Sequence, residues 1–322
     1  MTRRAFVVCL VGGLLVASAA GVARPAGKVY RIGVLEPYAA ADPINTAMRK
    51  ALREVGYVEG RDIAIEWRHG EGRTAQFPSL AVGLTQLKLD AIIAIGNLAI
   101  RAVRQATTTT PIVAAADDLV GEGHVGSLAR PGGNLTGVSI LGSELNAKRL
   151  ELLREAVPRA SRVAVLWDPA TGTFHLPALH AAARTLGVEL NVQEVRDLED
   201  LHRAFAATQT WRAGALNVLA SPLLHALRRP IINHAARRRL PAIYQWDESV
   251  RAGGLMSYGP TRSEVFRTMS IQLDRVLKGA KPADLPVEQP TRFELVINLK
   301  TAKAIGVTFP SSILVRADQV IQ

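Results

Sequence analysis

The stretch "LARPGGNLTGVSILGSEL" (Leu128–Leu145) decides how this chain divides. Pro131-Gly132-Gly133-Asn134 is a strong breaker: Pro fixes φ and removes a donor, and Gly and Asn accept backbone angles other residues avoid. A β-rich run, Leu135 to Leu141, follows, then a helix start at Ser143. Such a stop between two long regular halves fits a catalytic loop, a phosphate cradle or a domain boundary, and the segments on either side separate these readings.

Upstream, short apolar runs alternate with amphipathic segments. Tyr30–Glu36, "DIAIEWRH", Asp90–Gly96 and "TPIVAAAD" read as strands, and Ile44–Tyr57, "FPSLAVGLTQLK" and "NLAIRAVRQATT" as helices, the last with Asn97 as its N-cap. Downstream, Ser161–Pro169, "VELNVQEV", "AGALNVLAS", "LPAIYQW" and "GGLMSYG" repeat the strand signal. Helices are expected near 176–186, 198–209, 224–239 and 263–277. About ten such strands divide around residue 140 into two sets, which favours two doubly wound parallel-sheet (Rossmann-like) α/β lobes over one very wide sheet. After Leu277 the texture changes to the Pro-rich "KGAKPADLPVEQPTR", then a strand "FELVINL", a helical turn "KTAKAIG" and a short capped helix in "SSILVRADQVIQ".

The 322 residues, 48% hydrophobic and 21% charged, are those of an ordinary globular chain. The first residues stand apart. Thr2-Arg3-Arg4 is a positive n-region, Phe6 to Val16 an apolar h-region, and small residues follow, which is export-signal logic with cleavage expected near Ala23 and residues 1–23 as the signal. Ala17-Ser18-Ala19 is the alternative cleavage site. The Arg pair fits a twin-arginine signal and equally a general secretory one. The lone Cys9 falls inside the h-region, so the mature chain is expected to hold no disulfide, thiolate metal site or cysteine nucleophile. The formal charge is +11, but aromatics are 5% and the basic residues are scattered on helices, which argues against nucleic-acid binding. The densest basic cluster, Arg237-Arg238-Arg239, reads as the solvated end of a helix.

No catalytic or metal-ligating set stands out. Gly121-Glu122-Gly123-His124-Val125-Gly126 has the form G-x-G-x-x-G, but it follows the fourth strand rather than the first, and the next strand does not close on an acid. A nucleotide-type cofactor at Gly121–Gly126 in an enzyme is the alternative reading, against a flexible loop before a short helix. No cofactor and no metal are otherwise expected. In doubly wound sheets ligands bind outside the strand carboxyl ends. The residues there are Glu36, Tyr38, Asn97, Asp117 and Asp118 in the first half. In the second they are Trp167, Asp168, Ser221, Tyr244, Gln245, Trp246, Asp247, Glu248, Ser257 and Tyr258. Each has a bland reading as cap, turn or core-edge aromatic; together they mark a cleft for a small polar ligand.

The segments "ALREVGYVEGRDIAIEWR", "SLARPGGNLTGVS", "RVAVLWDP", "GGLMSYGP" and above all Lys278–Pro310 resemble the substrate-binding proteins of ABC transporters, in the group that includes tryptophan/tyrosine-type binding proteins. The resemblance implies the type I periplasmic-binding-protein architecture: two lobes, joined by a multi-segment hinge, that close on a ligand without altering it. It implies a receptor in the periplasm that delivers an amino acid or related organic acid to an ABC permease and its ATPase, as a monomer or weak dimer. The expected division is 28–141 plus about 258–285 in lobe 1, 142–257 in lobe 2, and 286–322 returning across the hinge. Similar sequences usually carry Thr or Ser with Pro where this chain has Asn97-Leu98. The residue there is expected to help hold the ligand's anionic end, with Asp117 or Asp118 on an amine and Trp167, Tyr244 or Trp246 on the apolar part.

Overall fold

The computed structural model describes residues 28–322; the export-signal reading, its cleavage site and Cys9 lie outside the described residues. Twelve strands fall into two sheets. The first has the order β2-β1-β3-β4-β5, all parallel. It comprises β1 (Tyr30–Glu36), β2 (Ile63–His69), β3 (Ala91–Ile95), β4 (Ile112–Ala116) and β5 (Leu135–Ser139). The second has the order β12-β11-β10-β9-β8-β6-β7. It comprises β6 (Arg162–Trp167), β7 (Glu189–Glu194), β8 (Ala215–Val218), β9 (Ala242–Tyr244), β10 (Met256–Pro260), β11 (Phe293–Asn298) and β12 (Gln319–Ile321). The segment β7-β6-β8-β9-β10 repeats the first sheet's order strand for strand. To it the chain adds β11, antiparallel to β10, and β12.

Helices cover both faces. They are α1 (Pro43–Glu54), α2 (Phe77–Thr85), α3 (Asn97–Ala106), α4 (Gly142–Ala156), α5 (His175–Leu186) and α6 (Leu198–Thr210). Then come α7 (Pro222–Ala226), α8 (Arg228–Arg237), α9 (Asp247–Arg251), α10 (Arg262–Leu277), α11 (Leu299–Ile305) and α12 (Ser311–Arg316). The continuous apolar runs become central strands because both sides of the sheet must be dry. In β3, Ala91, Ile93 and Ile95 pack into one cluster while Ile92 and Ala94 pack into the other. In β6, Val163, Val165 and Trp167 take one face and Ala164 and Leu166 the other.

The chain passes between the sheets three times: between β5 and α4, between β10 and α10, and between Glu288 and β11. Leu141, in left-handed conformation (φ 62°), precedes α4 at the first passage. Tyr258 to Pro260 pair with β11 in the second sheet, so the second passage follows Pro260 rather than falling near 258. Helix α10 then returns to the first sheet, where Val265, Phe266, Met269 and Leu273 join the core of Ile93 and Val113. Its start is set by Thr261, whose Oγ1 accepts from the Glu264 N–H at 3.2 Å in a T-x-x-E capping arrangement. At the third passage Glu288 bridges Val138 of the first sheet; residues 293–321 all belong to the second lobe.

Local structure differs from the sequence expectation in several places. The expected 224–239 helix is two helices, α7 and α8, meeting at Leu227. The terminal dodecapeptide is α12 followed by edge strand β12. No helix lies between β4 and β5. The N-cap of α3 is Gly96, not Asn97; its φ of 85° is a left-handed angle that glycine adopts without a Cβ penalty.

Candidate functional site

The strand order reverses between β1 and β3 in one sheet and between β6 and β8 in the other, so each carboxyl edge carries a crevice. The two crevices face each other. Between them lie two adjoining cavities, both open to solvent, with ≈ 620 and ≈ 460 Å³ of empty space when the solvent at their mouths is included. Gly96, Asn97, Thr171 and Pro222 line both. The larger carries the charged and polar groups, Asp117, Glu122, Ser221, Gln245 and Arg262, among apolar walls, with Tyr38, Trp246 and Phe266 as aromatic surface. The smaller is walled chiefly by apolar groups, including Phe77, Leu98, Pro222 and Leu223, with Asp168 at its margin.

The lobes touch directly across this space. Gln245 Nε2 donates to Asp117 Oδ1 at 3.3 Å. Arg262, carried by α10 on the first lobe, donates from Nε to Glu248 Oε1 of the second at 2.7 Å and lies 4.1 Å above the Trp246 ring. The Tyr38 and His225 rings meet edge to face at 5.9 Å. Arg262 stays cationic: burial pulls its pKa down, but Tyr38 and Glu248 outweigh that and the net shift is upward. Its Nη2 is buried and has no hydrogen-bond partner among the described residues.

Asn97 is oriented from behind. His124 Nε2 lies 2.8 Å from Asn97 Oδ1, and His124 Nδ1 faces the Arg104 Nη1 donor at 3.4 Å. This network assigns the proton to Nε2 and leaves the Asn97 amide N–H₂ as its free donor. Glu122 Oε2 lies 3.2 Å from the same ring nitrogen, yet the two are not an ion pair at neutral pH. Burial, then Asp117, pushes Glu122 up to about 9, and burial with Arg104 and Arg101 lowers His124 to about 4. Burial also raises Asp117, opposed by Arg149 and Gln245. Arg149, fully buried on α4, donates to Asn146 Oδ1 at 2.8 Å and to the Tyr258 carbonyl at 3.2 Å.

These shifts fix a pH dependence. Glu122 and Glu36, the latter raised to about 8 chiefly by burial, keep protons in the folded state that the unfolded chain releases near pH 4.5. Their contribution to stability is complete below that value and is lost as pH rises through 8 and 9. His124 acts oppositely: its neutral form favours the fold above about pH 6.5, and that contribution is lost as pH falls toward about 4. Above pH 6.5 only the carboxyl terms remain. The melting temperature will therefore fall between pH 6.5 and 9, and Glu122→Gln, which keeps a neutral side chain of the same shape, will flatten the fall. A flat profile in the parent protein would remove this assignment.

Of the residues expected from strand ends, Tyr38, Asn97, Asp117, Ser221, Gln245 and Trp246 line the larger cavity, Asp168 the smaller, and Glu248 pairs with Arg262 of the larger. Asp168 and Ser221 are joined: Ser221 Oγ donates to Asp168 Oδ2 at 2.6 Å, and Ser221 Oγ caps α7 by accepting from the Leu224 N–H. The structure places the others elsewhere. Glu36 is buried beside His69, 2.8 Å from its Nδ1. Asp118 closes a turn by accepting from the Val120 and Gly121 N–H groups. Trp167 turns into the β6 core and donates Nε1 to the Gly172 carbonyl at 3.0 Å. Tyr244 packs in the opposite core, Ser257 is buried in β10, and Asp247 pairs with Arg251 at 2.8 Å. The Gly121–Gly126 loop opens no helix, and a Cβ at Gly121 would stand 2.3 Å from Asp118 Oδ2, so the loop is a folded turn rather than a dinucleotide cradle. Arg262 and Glu122 were not expected. Arg262 had a local signal: a cation at the first position of a helix sits against the dipole and asks for another reason to be there.

Two doubly wound lobes joined by three passages and meeting around a cleft lined by polar and aromatic side chains define the type I periplasmic-binding-protein class. The chain belongs to the ABC transporter substrate binding protein family, whose sequence profile matches residues 33–321. It is 27% identical over 286 residues to a tyrosine-binding protein of Clostridioides difficile (strain R20291), covering 86% of this chain and 81% of that one. Among solved structures it is similar to an ABC domain in complex with L-Trp from Streptococcus pneumonia (TM-score 0.84, 25% identity, 91% of this chain and all of that one). A conserved domain protein of Vibrio cholerae has the same fold (TM-score 0.84, 24% identity, 91% of this chain and all of that one). Members of this family are extracytoplasmic, bind small molecules and work with an ABC permease.

Proposed function

We propose that this chain captures a zwitterionic α-amino acid between its lobes and hands it to the permease unchanged, as a monomer or weak dimer in the periplasm after removal of residues 1–23. The observation that carries the reading is Arg262 Nη2, a buried, cationic, unpartnered donor in the same cavity as the Asp117 and Glu122 carboxyls. A ligand carboxylate satisfies that donor, with the Asn97 amide as a second one, and a ligand ammonium satisfies Asp117. Trp246, Tyr38 and Phe266 offer apolar surface for the side chain. The names of the tyrosine-binding relative and the L-Trp complex support an amino acid with a large side chain.

The test is thermal unfolding and calorimetry with the common L-amino acids, each paired with its decarboxylated amine and its deaminated acid. At least one amino acid will raise the melting temperature, while both of its stripped analogues will fail. An unchanged melting temperature across the whole panel would remove the reading. So would an amine or acid that binds as well as the parent.

A further inference from the structure

The second lobe carries a cationic face that its ligand chemistry does not use. No Asp or Glu occurs between Asp200 and Asp247, nor between Glu294 and Asp318. These two acid-free segments supply α8 and α11, which abut: Ala235, Ala236 and Leu240 on one side and Thr301 and Ile305 on the other wall a single crevice. The exposed basic residues beside it are Arg237, Arg238, Arg239, Lys300 and Lys303. Arg238 is held in place, with its guanidinium 5.5 Å over the Phe205 ring and Nη1 donating to His234 Nδ1 at 3.1 Å. The acids that border the segments are already engaged. Asp200 pairs with Arg196 and Arg203, Asp247 with Arg251, Glu294 accepts from Gln319 and Asp318 from the Leu295 N–H. Among the described residues none of these five cations forms an ion pair.

We propose that this face docks electrostatically on an anionic phospholipid surface and holds the receptor beside the membrane that contains its permease. The face carries charge, and α8 and α11 present no large exposed apolar side chain on it. A protein partner is recognised through buried aromatic or aliphatic side chains ringed by polar ones. Among the described residues the exposed large hydrophobic side chains are Val29, Val82, Val120, Leu198, Leu314, Val315 and Val320; none is on α8 or α11, and Val320, on the β12 strand that packs against α11, is a single valine rather than an apolar patch. A headgroup layer needs only cations within a Debye length of its phosphates. The Arg237–Arg239 end of α8 precedes β9, at the edge of the sheet away from the carboxyl-edge cavity, so docking leaves the ligand site unobstructed. Confinement to a surface raises the effective concentration of receptor at the permease without any new contact between them.

The experiment is co-sedimentation of the mature chain with phosphatidylcholine vesicles, with and without about a third phosphatidylglycerol. The parent protein will bind only the anionic vesicles and will release as salt rises from about 0.02 M to about 0.5 M. The variant Arg237→Gln/Arg238→Gln/Arg239→Gln will bind them on the order of 100-fold more weakly, since each cation near the surface contributes about a factor of five. A first-lobe variant of equal charge change, Lys50→Gln/Arg53→Gln/Arg73→Gln, will bind within a few-fold of the parent. Both variants will keep their ligand-induced melting shift, which reports that the fold is intact. Equal loss in the two variants would reduce the effect to net charge and overturn the proposal. Indifference of the parent to phosphatidylglycerol, or binding only to the solubilised permease, would overturn it as well.

Discussion

The Arg262→Gln protein will fold and will bind its amino acid about 100- to 1,000-fold more weakly than the parent. Removing one partner of a buried charge-assisted contact costs about 2–5 kcal/mol, because the other partner stays buried and unpaired. Here the ligand carboxylate is left so; Glu248, whose Oε1 now accepts from Arg262 Nε, is partly exposed and solvent takes over much of that contact. Arg262 also stacks on Trp246 and so joins the lobes as well as the ligand. Glu248→Gln separates these roles. It keeps an acceptor for Nε and the stacking geometry, and its affinity will fall by about tenfold or less. Calorimetry on the two variants and the parent measures both effects. If Arg262→Gln binds within a few-fold of the parent, the carboxylate is held elsewhere and the orientation proposed for the ligand is wrong.

The Gly137→Ala chain will not form a stable first lobe. Gly137 lies within β5 at φ 148°, and an added Cβ would stand 2.0 Å from the Ala114 carbonyl oxygen and 2.6 Å from the Ala114 nitrogen. Both atoms are backbone of β4, the strand to which β5 is paired. Relief requires separating the two strands, and the Ser139, Ile140 and Glu288 contacts that organise the passages between lobes go with them. A backbone clash of this kind exceeds about 4–5 kcal/mol, a large share of the 5–15 kcal/mol that holds a domain folded. Soluble yield and urea denaturation monitored by circular dichroism will report it. A cooperative transition at the parental midpoint would contradict the close approach of β4 and β5.

The breaker at Pro131–Asn134 stands before β5, the last strand of the first sheet, and the chain leaves that sheet only after Ile140; the turn and the strand after it were legible because their signal is local, proline and glycine chemistry followed by an apolar run. The continuous apolar runs of β3, β4 and β6 were legible for the same reason, since a strand dry on both sides leaves no alternation to misread. The site was legible only in part. Strand-end logic names the right edge of each sheet, but at a strand end the side chains alternate in direction. Trp167 therefore turns into the core while Asp168 reaches the cleft. Glu36 and Tyr244 fail similarly, sitting on the packed side of β1 and β9. Glu122 and His124 lay in a loop whose glycines suggested a phosphate cradle, and no periodicity shows that such a loop folds inward to brace Asn97. Arg262 follows a strand of one lobe but begins a helix of the other, a placement that appears only when the second passage is seen.

The three passages have a consequence for how the chain acquires its structure. Tyr57 donates its hydroxyl proton to Asp274 at 2.9 Å, across 217 residues of sequence, because α10 is a lobe 1 helix delivered after most of lobe 2. Neither lobe is contiguous, so an emerging N-terminal half lacks α10 and leaves the core face of Ile93, Val113 and Val138 open. The second sheet likewise waits for β11 and β12 at the very end of the chain. Such distant pairings give a high contact order, and folding is correspondingly slow and completed late. A nascent polypeptide of this design leaves its first core open until α10 has been made and its second sheet two strands short until the last thirty or so residues follow.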